Sequence, residues 1–315
     1  MVRYVSGRLL AMALTLFIIV TISFAMLRLM PGNIFENPDI PQVVREALNA
    51  KYHLDKPIMV QYGYFLRGVL ADGDWGTSIV LQPTKPVFDI LWQRIPVSMH
   101  LNIVSLLISL PLGMLFGILA ALGRNRAPDH AISFAVVMCI SIPSFVFAAV
   151  MQYFLCFRLG WFPIIYRANQ VGWEYLRQIV MPVLALSFGP IAATTRFLRG
   201  ELIETLSSEF MMLARTKGLT HFHATVRHAL RNSLVPMVNS IVGMFVGVLT
   251  GSLVIERIFA IPGVGGIMLQ AINALDHPVT IAALIFYSLV SLLSILIVDL
   301  LYGVVDPRIR MGSRR

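Results

Sequence analysis

The 315-residue chain is 57% hydrophobic and only 13% charged, whereas a water-soluble domain carries about 25% charged residues. That excludes an ordinary soluble domain, because most of the chain has no water to face. The net charge of +9 does not imply nucleic acid: the basic residues sit in short segments between apolar runs, the pattern of a polytopic membrane protein.

A spanning helix needs about 20 mostly apolar residues. Six runs qualify, over 9–27, 97–122, 131–157, 179–198, 234–256 and 279–305. The first is too long for the apolar core of a secretory signal, and Arg28 with Pro31-Gly32 closes it like a helix end, so a retained anchor is expected. The segment that follows, to residue 96, reads as an insertion on the outer side. Within it Pro41 to Ala50 has helical apolar spacing at Val43, Val44, Ala47 and Leu48. Asp55-Lys56-Pro57, Asp72-Gly73-Asp74 and Gln82-Pro83 mark turns. It is too small for a separate domain and is expected to pack on the bundle.

Ile142-Pro143 interrupts the third run and Leu110-Pro111 the second; proline is tolerated in membrane helices where neighbours satisfy the freed carbonyl. Gly243, Gly247 and Gly251 line one face of the fifth run at spacing four, which suits close helix packing. Asp299 lies in the sixth run. A carboxylate there is costly unless paired, and Arg196 or Arg199 at the same depth is the expected partner. Cys139 and Cys156 lie too far apart on one helix to meet.

Loop charge sets the orientation. With the N-terminus inside, the inner segments hold 13 Lys and Arg, and the two short outer loops only Arg158, Arg167, Arg177 and Arg257. Both termini are therefore expected in the cytoplasm.

The inner loop 199–233 carries the most information. Phe210, Met211, Leu213 and Ala214 form an apolar stripe on a short helix that stops at Gly218, with Arg215 and Lys217 in its last turn, where cations suit the helix dipole. By pattern alone this is an amphipathic interfacial loop. His221, His223 and His228 crowd it without metal-ligand spacing. The chain lacks a phosphate-cradling Gly-x-x-x-x-Gly-Lys-Ser/Thr loop, so it does not bind ATP itself. Neither a nucleophile–base grouping for an enzyme nor a charged ring for an ion channel is visible.

The same loop resembles the EAA motif of permeases in ATP-binding cassette importers, with Glu209, Ala214, Gly218 and Pro236 at the matching positions and Phe210-Met211 in place of two alanines. The resemblance runs along most of the chain: Arg28-Leu-Met-Pro-Gly32, Gly73-Asp-Trp-Gly-Thr-Ser78, Ile142-Pro-Ser-Phe145, Leu159-Gly-Trp-Phe-Pro163, Glu256-Arg-Ile-Phe-Ala-Ile-Pro-Gly263 and the stretch Val298–Arg310 all look like the dipeptide/oligopeptide/nickel permease family. Lys51-Tyr-His-Leu-Asp-Lys-Pro-Ile-Met-Val-Gln-Tyr62 is most similar to its B-type oligopeptide subunits.

This resemblance implies an all-α integral membrane protein of the type I ABC importer permease fold. Six transmembrane helices are expected, organised as 1–96 (first helix and periplasmic segment), a five-helix core 97–305 containing the loop 199–233, and a cytoplasmic tail 306–315. It implies half of a translocation pathway for oligopeptides in a bacterial inner membrane, with dipeptides, nickel or glutathione as alternative cargo. The implied partners are a homologous second permease subunit, two ABC ATPase subunits that bind the ATP and Mg, and a periplasmic peptide-binding protein. Glu209, Ala214, Arg215, Lys217 and Gly218 would dock on an ATPase. Asn102, Ser105, Gln152, Asn239 and Ser240 are the polar and small groups expected to line the pathway.

Overall fold

The computed structural model describes residues 2–29, 42–234 and 236–305. Among them the regular structure is helical, with one isolated antiparallel bridge between Thr77 and Pro86. Helices follow from the composition: in lipid each backbone N–H and C=O must find a partner within its own segment.

Four helices are long and apolar enough to cross a membrane, over Ser6–Met26, Val87–Leu122, Gly172–Leu206 and His277–Ile297. The run 131–157, expected as one span, is two helices, α6 (Ala127–Ser141) and α7 (Ser144–Met151), bent by 96° at Ile142-Pro143. Proline at 143 has no N–H to donate and forces its predecessor out of the helical region; Ile142 is extended, with φ −97 and ψ 121. Counting this pair as one span gives five. The run 234–256 forms α12 (Met237–Ile258), whose 22 residues reach about 33 Å at the helical rise. The run 179–198 is the middle of α8 (Gly172–Leu206), which at 35 residues is longer than the bilayer core requires.

The chain divides into two compact units. The first comprises Met1–Val97 and Pro262–Leu292. It holds α1 (Val2–Leu29), α2 (Gln42–Tyr52), α3 (Ile58–Arg67), α4 (Val87–Trp92), α13 (Val264–Asn273) and the start of α14 (His277–Val305). The helix expected at 41–50 is α2. Val87, Ile90 and Leu91 of α4 close against Val264, Ile267 and Ala271 of α13 and Val279, Ala282 and Ala283 of α14. A second cluster joins Val20 and Phe24 of α1 to Ile281 and Ile285 of α14, with Phe24 stacked on Phe65 of α3 at 5.1 Å.

The loop between α3 and α4 is held by one buried carboxylate. Asp276 accepts hydrogen bonds from Ser78 Oγ at 2.6 Å and from the backbone N–H groups of Ile79, Val80 and Leu81 at 3.2, 3.1 and 3.0 Å. Three successive N–H groups turned on one anion form a backbone nest.

The second unit comprises Ser98–Ile261 and Leu293–Arg315. Its axis is α8, which packs on α6, α7 and α12 and runs beside α5 (Ile95–Leu122). The α5–α8 contact depends on small residues. A Cβ at Gly113 would stand 2.5 Å from Thr194 Cβ, and one at Gly117 would stand 3.0 Å from Leu198 Cβ. Of the stripe on α12 only Gly243 has described surroundings, and a Cβ there meets nothing within 4 Å; those of Gly247 and Gly251 lie outside the described residues. Among the described glycines the tight helix approach is at Gly113 and Gly117 of α5.

Candidate functional site: a membrane cavity and a cytoplasmic loop

The bend at Pro143 opens the wall of the second unit. A cavity of about 720 Å³ lies beside it, lined by Pro143 and Phe147 at the break, Phe188 and Arg196 of α8, and Ser240 and Met244 of α12. Cys139, Gly189, Pro190 and Gly243 complete much of the remaining surface. Gly189 has open space around its Cβ position, so it takes no part in helix packing and leaves the cavity wide at that level. Acidic residues are absent from the lining among the described residues.

The five side chains expected to line a pathway divide. Ser240 does line this cavity. Asn102 and Ser105 do not: both are fully buried between helices. Asn102 donates to Ser98 O at 2.7 Å, and Ser105 Oγ meets Ser187 Oγ of α8 at 3.1 Å. Ser109 and Ser187 extend this hydroxyl ladder, and Ser98 Oγ donates to the buried Glu256 at 2.6 Å. Each hydroxyl bonds a neighbouring carbonyl or hydroxyl, which removes the cost of leaving it unmet in an apolar setting. Gln152 is a brace: its amide donates to Ile164 O at 2.8 Å and Ile258 O at 2.9 Å, tying the loop after α7 to the end of α12. Tyr166 N–H to Phe259 O, at 2.8 Å, reinforces that tie. The side chain of Asn239 lies outside the described residues.

Asp129 is a buried anchor that no local sequence pattern marks. It is 2% exposed in the first turn of α6 and is gripped by Arg199 of α8, with Nε and Nη2 at 2.6 and 2.7 Å from its two oxygens. The N–H of Asn125 and the hydroxyl of Ser133 also reach it. Arg199 was one of two expected partners for Asp299, but its fork is taken by Asp129; the side chain of Asp299 lies outside the described residues. A carboxylate with a basic residue 70 positions away leaves no local signal in the chain.

Beyond Arg199, α8 runs into the loop. The short helix α9 is Glu209–Thr216, and Gly218 follows it at φ +86, a conformation that costs a residue with a Cβ. Gly218 N–H donates to Arg215 O and Leu219 N–H to Ala214 O, satisfying carbonyls of the last turn. The chain returns through α10 (His221–Ala224), a wide turn Thr225–Leu230 and α11 (Arg231–Leu234) to α12.

Met211 and Ala214 face inward, packed with Leu202 of α8, Ala121 of α5, Ala224 and Ala229. Ala214 thus serves the chain's own core. The outward face is Phe210, Leu213, Leu219 and Phe222, at 42, 56, 37 and 71% exposure, with the cations Arg215 and Lys217 and the anion Glu209 exposed beside them. His223 bonds Thr220 through Nδ1 at 2.9 Å. Ser233 Oγ donates to Thr205 Oγ1 at 3.0 Å and pins the return strand of the loop to the end of α8. The site therefore joins three things through one continuous helix: a cavity beside Phe188 and Arg196, an ion pair at Arg199, and an apolar, cation-edged loop resting on Leu202.

Comparison with known proteins places this architecture. Residues 113–311 match the family described as binding-protein-dependent transport system inner membrane component, and residues 1–102 match its N-terminal region. The chain is 43% identical over 311 residues to the dipeptide transport system permease protein DppB of Lactococcus lactis, covering 99% of this chain and all of the relative. It is 36% identical to DppB of Bacillus subtilis over 315 residues, the full length of both chains. It is also 36% identical to the oligopeptide transport system permease protein OppB of Escherichia coli over 313 residues, 98% of this chain and all of the relative. With its membrane helices and these matches along nearly its whole length, the chain belongs to the family of binding-protein-dependent transport system inner membrane components.

Proposed function

We propose that this chain is one of two pathway-forming permease subunits of an ATP-driven, binding-protein-dependent importer of short peptides. The observation that carries the reading is the single helix α8, which borders a membrane cavity at Phe188 and Arg196 and supports an exposed apolar loop through Leu202. A force applied to the loop is delivered along α8 to Arg196 at the cavity wall, with the helix-interrupting Pro190 lying only beyond that point. Two such subunits would enclose the pathway, with α12 and the broken pair α6–α7 facing it; six spans result when α12 and the bent pair each count as one. ATP and Mg are bound by two separate ATPase subunits, and this chain performs no chemistry.

The loop's ATPase-facing surface is Phe210, Leu213, Leu219 and Phe222, with Arg215, Lys217 and Glu209 at its rim and Gly218 setting the turn. Apolar side chains at the centre and charges around them is the usual anatomy of a protein interface. Ser240 lines the pathway in this chain; Asn102, Ser105 and Gln152 maintain its walls. A periplasmic binding protein delivers the peptide, and both termini lie in the cytoplasm.

The sequence motifs lean toward oligopeptides, whereas identity is higher to a dipeptide permease, 43% against 36%. We take dipeptides as the principal cargo and oligopeptides as the alternative. The test is reconstitution of the complete importer in liposomes with labelled di-, tri- and pentapeptides. Dipeptide uptake that requires ATP, the binding protein and this chain is the expected result. Uptake of pentapeptides alone would move the assignment to oligopeptides, and nickel uptake without peptide uptake would overturn the reading.

A further inference from the structure

We propose that Arg196 is the side chain that holds the C-terminal carboxylate of the peptide in transit. The inference rests on the peptide-importer reading above and names a residue that reading does not assign. Arg196 lies inside the apolar run 179–198 and lines the 720 Å³ cavity at the Pro143 bend. Its surroundings there are apolar or small: Ile142, Pro143, Phe147, Phe197 and Met244, with Ser144 and Ser240 as the hydroxyls. Among the described residues it makes no hydrogen bond or ion pair, although Arg199, one turn further on, is fully engaged by Asp129.

An ionised side chain within a membrane-spanning helix is costly and persists where it faces a cavity and has something to bind there. A guanidinium offers a planar fork that matches a carboxylate through two parallel hydrogen bonds. Among the described residues the cavity lining supplies no acidic residue to neutralise it. Its volume lies in the range of pockets that enclose small ligands, about 300–1,000 Å³. Its aromatic and aliphatic walls accept varied side chains without selecting among them. A short peptide presents one feature common to every sequence, its terminal carboxylate, and Arg196, an exposed cation on an otherwise apolar wall, reads that feature alone. A partner subunit's acidic side chain is the competing occupant, and the experiment separates the two.

The complete importer is reconstituted with wild-type chain, Arg196→Gln or Arg196→Lys. Each is assayed with a dipeptide bearing a free C-terminus and with its C-terminal amide. The binding protein is the same throughout, so its own preference cancels when the acid-to-amide uptake ratio of a variant is divided by that of wild type. This ratio is also independent of how much variant complex assembles. Loss of a charge-assisted contact is expected to lower it at least about tenfold in Arg196→Gln, with Arg196→Lys between that and wild type. An unchanged ratio overturns the proposal, whether uptake is preserved or falls equally for both peptides; an equal fall assigns Arg196 to the subunit interface. Absence of peptide uptake by the wild-type importer would overturn the functional reading itself, and this inference with it.

Discussion

Arg199 and Asp129 form a two-pronged ion pair, 2.6 and 2.7 Å long, that fastens the start of α6 to α8 one turn beyond the cavity-lining Arg196. The carboxylate is 2% exposed, while the arginine side chain keeps 32% of its surface. Such a pair locks a relative position more than it adds stability, because the gain in attraction is offset by lost hydration. Here it fixes the lower half of the bent pair α6–α7 to the helix that carries the loop.

Removing one partner leaves the other charge without its mate. Asp129→Ala is expected to destabilise the protein by about 3 kcal/mol, read as a lower unfolding midpoint in detergent. The double variant Asp129→Ala with Arg199→Met should recover most of that loss, since neither charge is then stranded. A double variant no better than the single one would mean that the pair does not act as a unit.

The contact of α5 with α8 makes a prediction opposite in sign to helix propensity. Gly→Ala in an exposed helix interior gains about 1 kcal/mol. At Gly113 the added Cβ would lie 2.5 and 2.8 Å from Thr194 Cβ and Cγ2 and 2.9 Å from Ile191 O. Overpacking of this kind costs about 1–3 kcal/mol, so Gly113→Ala is expected to lower the unfolding midpoint. Gly243→Ala, with nothing within 4 Å, should not lower it. Equal behaviour of the two variants would show that the helices part freely at Gly113.

These residues also show what can be read from the chain alone. The stop of α9 at Gly218 is local: a stripe of apolar residues, cations in the last turn and a glycine specify it within ten positions. The break at Ile142-Pro143 is equally local, but its 96° angle depends on what α7 packs against. The ion pair Asp129–Arg199 and the carboxylate nest at Asp276 join residues 70 and nearly 200 positions apart, and no periodicity announces them. Small residues at spacing four mark α12 as clearly as Gly113 and Gly117 mark α5, yet only contact with Thr194 and Leu198 shows which glycines are tightly packed, and Gly243 is not among them. Asn102 and Ser105 are candidates for lining because they are polar in a membrane helix, and both are buried between helices. Burial, which decides between lining and packing, is not encoded in polarity.

Asp276 provides a local test of the first unit. Three amides and one hydroxyl converge on its carboxylate, and it is fully buried. In Asp276→Ala the N–H groups of Ile79, Val80 and Leu81 lose their acceptor. Hydrogen bonds to a charged group contribute about 1.5–3 kcal/mol each, so amide exchange at residues 79–81 should accelerate at least about tenfold. Unaltered exchange there would mean that the loop is held by other contacts.

Orientation is open to a direct measurement. The charge asymmetry of the short loops, 13 inside against 4 outside, predicts a cytoplasmic N-terminus. Thr84 and Ser207 are both exposed. In spheroplasts of cells expressing single-cysteine variants, on a background lacking Cys139 and Cys156, an impermeant thiol reagent should label Thr84→Cys and spare Ser207→Cys. Labelling at 207 from outside would invert the topology and withdraw the loop from the ATPase side.

Coupling should fail at Gly218 before folding does. Its φ of +86 is strained for any residue with a Cβ and most of all for a β-branched one, although a Cβ there would meet nothing within 4 Å. Gly218→Val therefore disturbs the turn without a clash, at a cost on the order of 1–3 kcal/mol that falls on the exposed end of α9. The inward anchors Met211 and Ala214 stay packed on Leu202, so the chain should still insert and assemble its helices. What changes is the placement of Leu219 and Phe222 relative to Leu213, the exposed apolar face of the loop. In the reconstituted importer, peptide-stimulated ATP hydrolysis is expected to fall at least about tenfold, while hydrolysis by the ATPase subunits alone is unchanged. Gly218→Ala, less strained, should retain part of the stimulation. Full stimulation and transport by Gly218→Val would mean that this loop lies on the lipid surface and transmits nothing.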